Sequence, residues 1–315
     1  RRLLMGPGPS DAHPRVLRAM TTPLLGHLDP EFLELMEESK TLLRSAFGTA
    51  NDLTIPISAT GSAGMEAAFV NVVEPGDDVI VCVNGVFGQR MSDIVGRCGA
   101  NLTRVEADWG ATVAAEDVAA ALKAVKNPKV VAIVHAETST GVLQPLGDIA
   151  ALARDHGALS LVDAVTSLAG APVDVDATGI DVAYSGTQKC LSCPPGLSPI
   201  TFSARALEVI QARKTKVQSW YLDMSMIARY WGEERVYHHT APISMVYAFR
   251  EALRLVDEEG LEARFERHRL HSAALAAGLE ALGLGLGAEA GNRAPMLTLT
   301  SIPDGVDDGA VRRRL

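Results

Sequence analysis

The feature that most limits what this chain can become is a repeated alternation through its first two-thirds. Short β-branched runs are separated by stretches rich in Ala, Leu and Glu. Asp78–Val83, Val130–Val134, Leu159–Val162, Ile180–Tyr184 and Pro199–Phe202 read as strands. The middle three are near-continuously apolar, as strands covered on both faces must be. Gly64–Val73, Gly88–Cys98, Ala115–Lys126 and Leu146–His156 read as the intervening helices. Strand alternating with helix predicts an α/β fold, a mostly parallel sheet with helices on both faces.

After Gly260 the pattern changes. Leu261–Leu282 is one long helical stretch rich in Glu, Arg and Ala, followed by a Gly-rich turn at Gly283–Gly287 and a candidate strand at Met296–Leu299. The expected organisation is an N-terminal arm over 1–21, a large domain over 22–260, and the start of a smaller α+β domain over 261–315. The chain opens on Arg1 rather than Met and stops at Arg312-Arg313-Arg314-Leu315 with neither turn nor cap. That is the expectation for a piece of a longer protein.

Composition removes several classes of function. Hydrophobic residues at 47 % against charged ones at 21 % supply a sizeable core and exclude general disorder. A net charge of −9 suits no phosphate backbone, so no nucleic-acid partner is expected. No apolar run approaches the roughly 18 residues that a membrane span needs, so no membrane is expected either. The turn Gly6-Pro7-Gly8-Pro9 comes too early for a signal peptide. Four cysteines are too few for a disulfide scaffold. The default compartment is therefore the reducing cytoplasm, or an organelle such as the peroxisome in a eukaryote.

Three features at predicted strand ends carry chemistry, because open α/β sheets hold ligands there. Ala59-Thr60-Gly61-Ser62-Ala63-Gly64 is a small-residue loop entering a helix, where free backbone N–H groups can hold a phosphate. Asp163 ends the apolar run Leu159-Ser160-Leu161-Val162, and a buried carboxylate there needs a partner. Lys189 closes Ser185-Gly186-Thr187-Gln188-Lys189, and a lysine buried among small residues becomes a nucleophilic amine. Taken singly, these read first as a helix cap, a loop carboxylate and a surface charge. Taken together, they are what pyridoxal phosphate requires: an anchor for its phosphate, a partner for its pyridinium nitrogen, and an amine for a Schiff base.

The chain resembles the class V, fold-type I pyridoxal-phosphate aminotransferases, and most closely the alanine–glyoxylate and serine–glyoxylate (serine–pyruvate) group. Glu66-Ala67-Ala68-Phe69-Val70-Asn71-Val72, Asn84-Gly85-Val86-Phe87-Gly88-Gln89-Arg90 and Glu137-Thr138-Ser139-Thr140-Gly141-Val142 carry that resemblance. So do Val162-Asp163-Ala164-Val165, the Lys189 block and Tyr237-His238-His239-Thr240. The resemblance implies that Lys189 is the Schiff-base lysine and proton carrier, and that Asp163 is the pyridinium partner. It implies that Thr60, Gly61, Ser62 and Gln188 hold the phosphate, with Ser62 standing where animal relatives often carry histidine. Phe87 would stack on the pyridine ring, a site that is tryptophan in some relatives. Val165 would touch the ring's other face, and Thr138 would lie near the phenolic oxygen. Tyr237 and Thr240 would reach the phosphate of a neighbouring subunit, so the active sites would be shared in a homodimer.

The implied activity is transamination from a small amino acid, alanine or serine, to a 2-oxo acid such as glyoxylate or pyruvate. Cysteine desulfurase and phosphoserine aminotransferase share the fold and remain alternatives, as does a non-catalytic relative. The family's substrate-carboxylate arginine is expected beyond Leu315. No metal is expected. Cys190-Leu191-Ser192-Cys193 lacks a second pair, the neighbours His238 and His239 should point apart, and His268 and His271 share a helix face without a third ligand. Trp220-Tyr221 and Tyr230-Trp231 read equally as dimer surface or ordinary core.

Overall fold

Seven strands hydrogen-bond into one sheet in the computed structural model of the chain, which describes residues 3–314. Arg1, Arg2 and Leu315, on which the expected break-off at the two ends partly rests, lie outside the described residues. In chain order come α1 (Pro14–Ala19), α2 (Pro30–Phe47), β1 (Leu53–Ile57), α3 (Gly61–Val72), β2 (Asp78–Val83), α4 (Val86–Arg97), β3 (Asn101–Glu106), α5 (Ala115–Ala124) and β4 (Pro128–Val134). The small hairpin β5 (Ala136–Glu137) and β6 (Val142–Leu143) follows, then α6 (Gly147–Asp155), β7 (Leu159–Asp163), α7 (Val175–Thr178), β8 (Val182–Tyr184) and β9 (Ser198–Phe202). The later helices are α8 (Ala204–Gln211), α9 (Met224–Trp231), α10 (Ile243–Glu259), α11 (Leu261–Ala281) and α12 (Asp308–Arg314).

The sheet runs β1-β9-β8-β7-β4-β2-β3 and is parallel from β8 to β3. Only β9 opposes its neighbours. Those two reversals leave β1 pointing the same way as β8. The C-terminal ends of β1, β2, β4, β7 and β8 therefore meet along one end of the sheet, which is where such folds bind ligands. Strands β7, β8 and β9 are buried throughout, because crossover helices cover both faces.

The α/β fold matches the expectation, and two strands escaped it for the same reason. β1 (Leu-Thr-Ile-Pro-Ile) and β3 (Asn-Leu-Thr-Arg-Val-Glu) are the two edges of the sheet. An edge tolerates Pro56 and leaves most of β3 exposed, so neither reads as a continuous apolar run. The candidate strand Met296–Leu299 is not formed. Only an isolated bridge between Leu286 and Thr300 links that stretch to the Gly-rich turn. A strand needs a partner strand, and the short turn supplies one residue.

Helix α2 carried terminal signals that the alternation hid. Asp29 Oδ1 accepts from the Glu31 amide at 2.9 Å, Pro30 sits at the first position, and Gly48 closes the helix with φ +65°. Gly260, at φ +80°, separates α10 from α11. Among the described residues, no helix is long and apolar enough to cross a membrane.

Candidate active site

Asp163 is the last residue of β7 and is 3 % exposed. Its Oδ1 accepts from the Val165 amide at 2.8 Å, and its Oδ2 accepts from the Tyr184 hydroxyl at 2.8 Å. Burial pushes its pKa up to about 6, against the pull of those two bonds. Glu137 raises it further and Lys189 lowers it, so both carboxylates and the amine lie in one electrostatic neighbourhood. A cation placed against Asp163 would relieve this burial cost.

Lys189 follows β8 by five residues and is half-buried. Desolvation lowers its pKa, the direction a nucleophilic amine requires. Its Nζ donates to the Pro7 carbonyl, 182 positions away in sequence. The N-terminal arm lies over this loop: the Ser10 amide donates to Gln188 O at 2.9 Å and the Ser10 hydroxyl to Lys189 O at 2.9 Å. Gly8 makes the approach possible, since a Cβ there would stand 2.7 Å from Lys189 Cδ.

The anion cradle lies where β1 turns into α3. The helix starts at Gly61, three residues earlier than expected, with Thr60 as its cap. The Thr60 side chain makes no capping bond, and no acceptor among the described residues meets the Gly61 or Ser62 amide. Both Thr60 and Ser62 are exposed. A methyl group at Gly61 would stand 3.3 Å from Val165 Cγ2 and 3.5 Å from Gly186 Cα. The cradle, the ring-contact position and the lysine loop therefore converge on one point.

Phe87 lies in the first turn of α4, half-buried, with the Arg90 guanidinium 4.8 Å from its ring centre. Its amide donates to Glu137 Oε2 at 3.1 Å. Glu137 also accepts from the Ser139 hydroxyl at 2.6 Å, so it caps α4 and fixes the loop carrying Thr138. The Thr138 and Thr166 hydroxyls meet at 2.6 Å. Thr138, Gln188 and Lys189 line a cleft of about 480 Å³ that also takes in Pro7, Gly8 and, from α11, Arg264, His268 and His271.

Of the other predicted site residues, Thr60, Gly61, Ser62, Phe87, Asp163 and Val165 do not line that cleft, and neither do Tyr237 and Thr240. Both are exposed, with their hydroxyls 3.4 Å apart. The two aromatic pairs divide: Trp220 and Tyr221 are exposed, while Tyr230 and Trp231 are core. His238 and His239 do not point apart as expected. Their Nδ1 atoms lie 2.8 Å from each other. The segment is irregular, so the alternation of an extended strand does not apply to it.

Three residues of the site were passed over in the sequence. Tyr184 holds Asp163 and could have been noticed as a tyrosine ending an apolar strand beside the lysine motif. Glu137 lay inside a quoted block without a role of its own. His135 supports Asp163 from behind: its amide donates to Asp163 O at 2.9 Å, its Nδ1 meets Ser167 Oγ at 2.9 Å, and burial pushes its pKa down to about 4. Nothing in its local sequence marks it.

Residues 4–303 match the family model described as aminotransferase class-V. The chain belongs to the class V aminotransferases. It is 53 % identical to the crystal structure of an alanine–glyoxylate aminotransferase from Nostoc sp., with a TM-score of 0.97 over 99 % of this chain and 83 % of that one. The (S)-ureidoglycine–glyoxylate transaminase of Bacillus subtilis is 45 % identical over 100 % of this chain and 80 % of its own length. The alanine–glyoxylate aminotransferase of Callithrix jacchus is 43 % identical over 97 % and 75 %. This aminotransferase is, with its family, dependent on pyridoxal phosphate.

The residues present fit that cofactor. Gly61 and Ser62 offer free amides to a phosphate at the positive end of α3. Gln188 lines the cleft beside Lys189, where its side-chain amide N–H groups are the donors a phosphate needs. Asp163 is a buried carboxylate in want of a cation, and Lys189 is an amine with a lowered pKa. The fit lies in this donor set as well as in the family.

Proposed function

We propose that this aminotransferase moves the amino group of alanine or serine to glyoxylate or pyruvate, as a cytoplasmic homodimer with shared active sites. The observation that carries the reading is the convergence of Gly61, Val165 and the lysine loop beside the Asp163 carboxylate. Glyoxylate as acceptor rests on the relatives, since the Nostoc, Bacillus and Callithrix proteins are all named as glyoxylate aminotransferases. The exposed Tyr237 and Thr240 leave two hydroxyls free to face a neighbouring subunit, which fits sites completed across a two-fold interface.

Bound pyridoxal phosphate supplies an electron sink that makes the donor's Cα–H acidic. The protein's own groups do the rest. Thr60, Gly61, Ser62 and Gln188 bind the phosphate, and Asp163 stays ionised to hold a proton on the pyridine nitrogen. Phe87 and Val165 orient the ring from its two faces, and Thr138 is set toward its oxygen. Lys189 Nζ would accept the proton from the donor's Cα and carry it for its return; burial lowers the amine's pKa, so more of it is unprotonated and able to accept.

A desulfurase would not use any of the four thiols of this chain. Burial pushes Cys82 and Cys193 up to about 12 and Cys98 and Cys190 up to about 11, far from a working thiolate. Half-reactions with alanine, serine, glycine and aspartate, followed through the cofactor's absorbance, test the reading. Fastest turnover with alanine or serine supports it, and equal rates with all four refute it. Lys189→Ala should lower the rate by at least about a thousandfold, as loss of a nucleophile and proton carrier does.

A further inference from the structure

A cage of aromatic rings closes over the histidine pair beside the β1–α3 turn. Trp220 stacks on His238 with centroids 4.5 Å apart and planes at 15°, and Tyr221 and Tyr230 meet His239 at 5.2 and 5.7 Å. His239 Nε2 lies 2.6 Å from the hydroxyl of Ser58, two residues before the cap of α3. The Tyr221 hydroxyl donates to the Ser58 carbonyl at 2.9 Å, so this residue is gripped by both its side chain and its backbone. At the other end, His238 Nε2 lies 3.4 Å from the Trp220 carbonyl.

A relay of hydrogen bonds running from Ser58 to the Trp220 carbonyl satisfies these contacts. A carbonyl only accepts, so His238 Nε2 carries a proton and donates to Trp220 O. In that relay His239 Nδ1–H donates to His238 Nδ1. His239 Nε2 is consequently an acceptor and takes the Ser58 hydroxyl proton. Burial, followed by the proximity of His238, pushes the His239 pKa down to about 4, which keeps that nitrogen unprotonated at neutral pH. Among the described residues, no carboxylate, lysine or arginine forms an ion pair with either ring.

We infer that His239, oriented by His238, is a positioning residue for the phosphate cradle: it holds Ser58 and thereby sets the turn from which the free amides of Gly61 and Ser62 are presented. The inference rests on the reading of that turn as the phosphate site. Tyr237 and Thr240 flank the pair, so one short segment would both brace its own cradle and present the two hydroxyls proposed to serve the neighbouring subunit.

The test compares two ligands on the cofactor-free protein, pyridoxal phosphate and pyridoxal, which differ only in the phosphate. His239→Phe keeps a ring but no acceptor, Ser58→Ala removes the hydroxyl, and His239→Gln restores an amide oxygen near the lost nitrogen. Pyridoxal phosphate should bind about tenfold more weakly to His239→Phe and Ser58→Ala, the scale of one hydrogen bond, while pyridoxal binding stays unchanged. His239→Gln should recover most of the loss. Equal weakening of both ligands would mean that the pair only supports the fold, and no weakening in a folded Ser58→Ala would also overturn the inference. Failure of the unmodified protein to prefer pyridoxal phosphate over pyridoxal would instead strike the phosphate site itself.

Discussion

Asp163→Asn should stabilise the cofactor-free protein while destroying its affinity for the cofactor. The Asp163 carboxyl is raised from 3.8 to about 6 by burial, which corresponds to a cost of about 3 kcal/mol for holding it ionised. The sign follows from the direction of the shift. A group whose folded pKa lies above its unfolded one contributes stability that is complete below about pH 4 and is lost as pH rises through about 6. Asparagine removes that loss. Its Oδ1 can still accept from the Val165 amide, while its amide nitrogen would face Tyr184 Oη, which must give up donating. The lost bond costs about 1 kcal/mol, leaving a net gain of about 2 kcal/mol at about pH 8. Thermal unfolding of the cofactor-free proteins should show the variant melting roughly 3 °C higher at about pH 8, with the gap closing at about pH 4. Pyridoxal phosphate titrations on the same samples should show the affinity falling by at least about a hundredfold, because a pyridinium loses its partner. A variant less stable than the parent at about pH 8, or one whose advantage does not change with pH, would refute the reasoning.

Other perturbations follow from close contacts. A Cβ at Gly64 would stand 2.0 Å from Ser198 Oγ, which is itself bonded to Ser185 O. Gly64→Ala should therefore cost about 2 kcal/mol in thermal unfolding, and adding Ser198→Ala should return part of it. At Gly8, φ is +128° and a Cβ would crowd the Lys189 side chain, so Gly8→Ala should weaken cofactor binding about tenfold and cost about 1 kcal/mol in thermal unfolding. Arg264, 7 % exposed, donates to Ala169 O at 3.0 Å, to the Cys190 carbonyl beside Lys189, and to Glu259 at 2.5 Å. Arg264→Met should lower stability by about 3 kcal/mol, seen as an earlier denaturant midpoint, because two buried carbonyls lose their donor. Arg267 remains to pair Glu259.

Much of the architecture was legible because it is written in local periodicity. Val130–Val134 and Leu159–Val162 announce buried strands through side-chain chemistry alone, and both are buried in β4 and β7. The edge strands β1 and β3 were illegible, since Pro56 and the polar residues of β3 make sense only where one side of a strand has no neighbour. The start of α3 at Gly61 was displaced for a related reason. Its glycines weaken the helical signal, yet Gly64 has to be glycine because Ser198 comes so near.

What the residues determined by themselves was the alternating α/β order and the chemical inventory: a lysine after a strand, a carboxylate ending another, and a small-residue turn before a helix. Tertiary structure alone decided how these act. It set Tyr184 against Asp163, brought the Pro7 carbonyl to Lys189, and turned His238 and His239 toward each other over Ser58. The physical reason is one of range. Periodicity and side-chain type reflect interactions within a few residues, whereas pKa values, hydrogen-bond direction and close approach depend on groups that only the folded chain brings together.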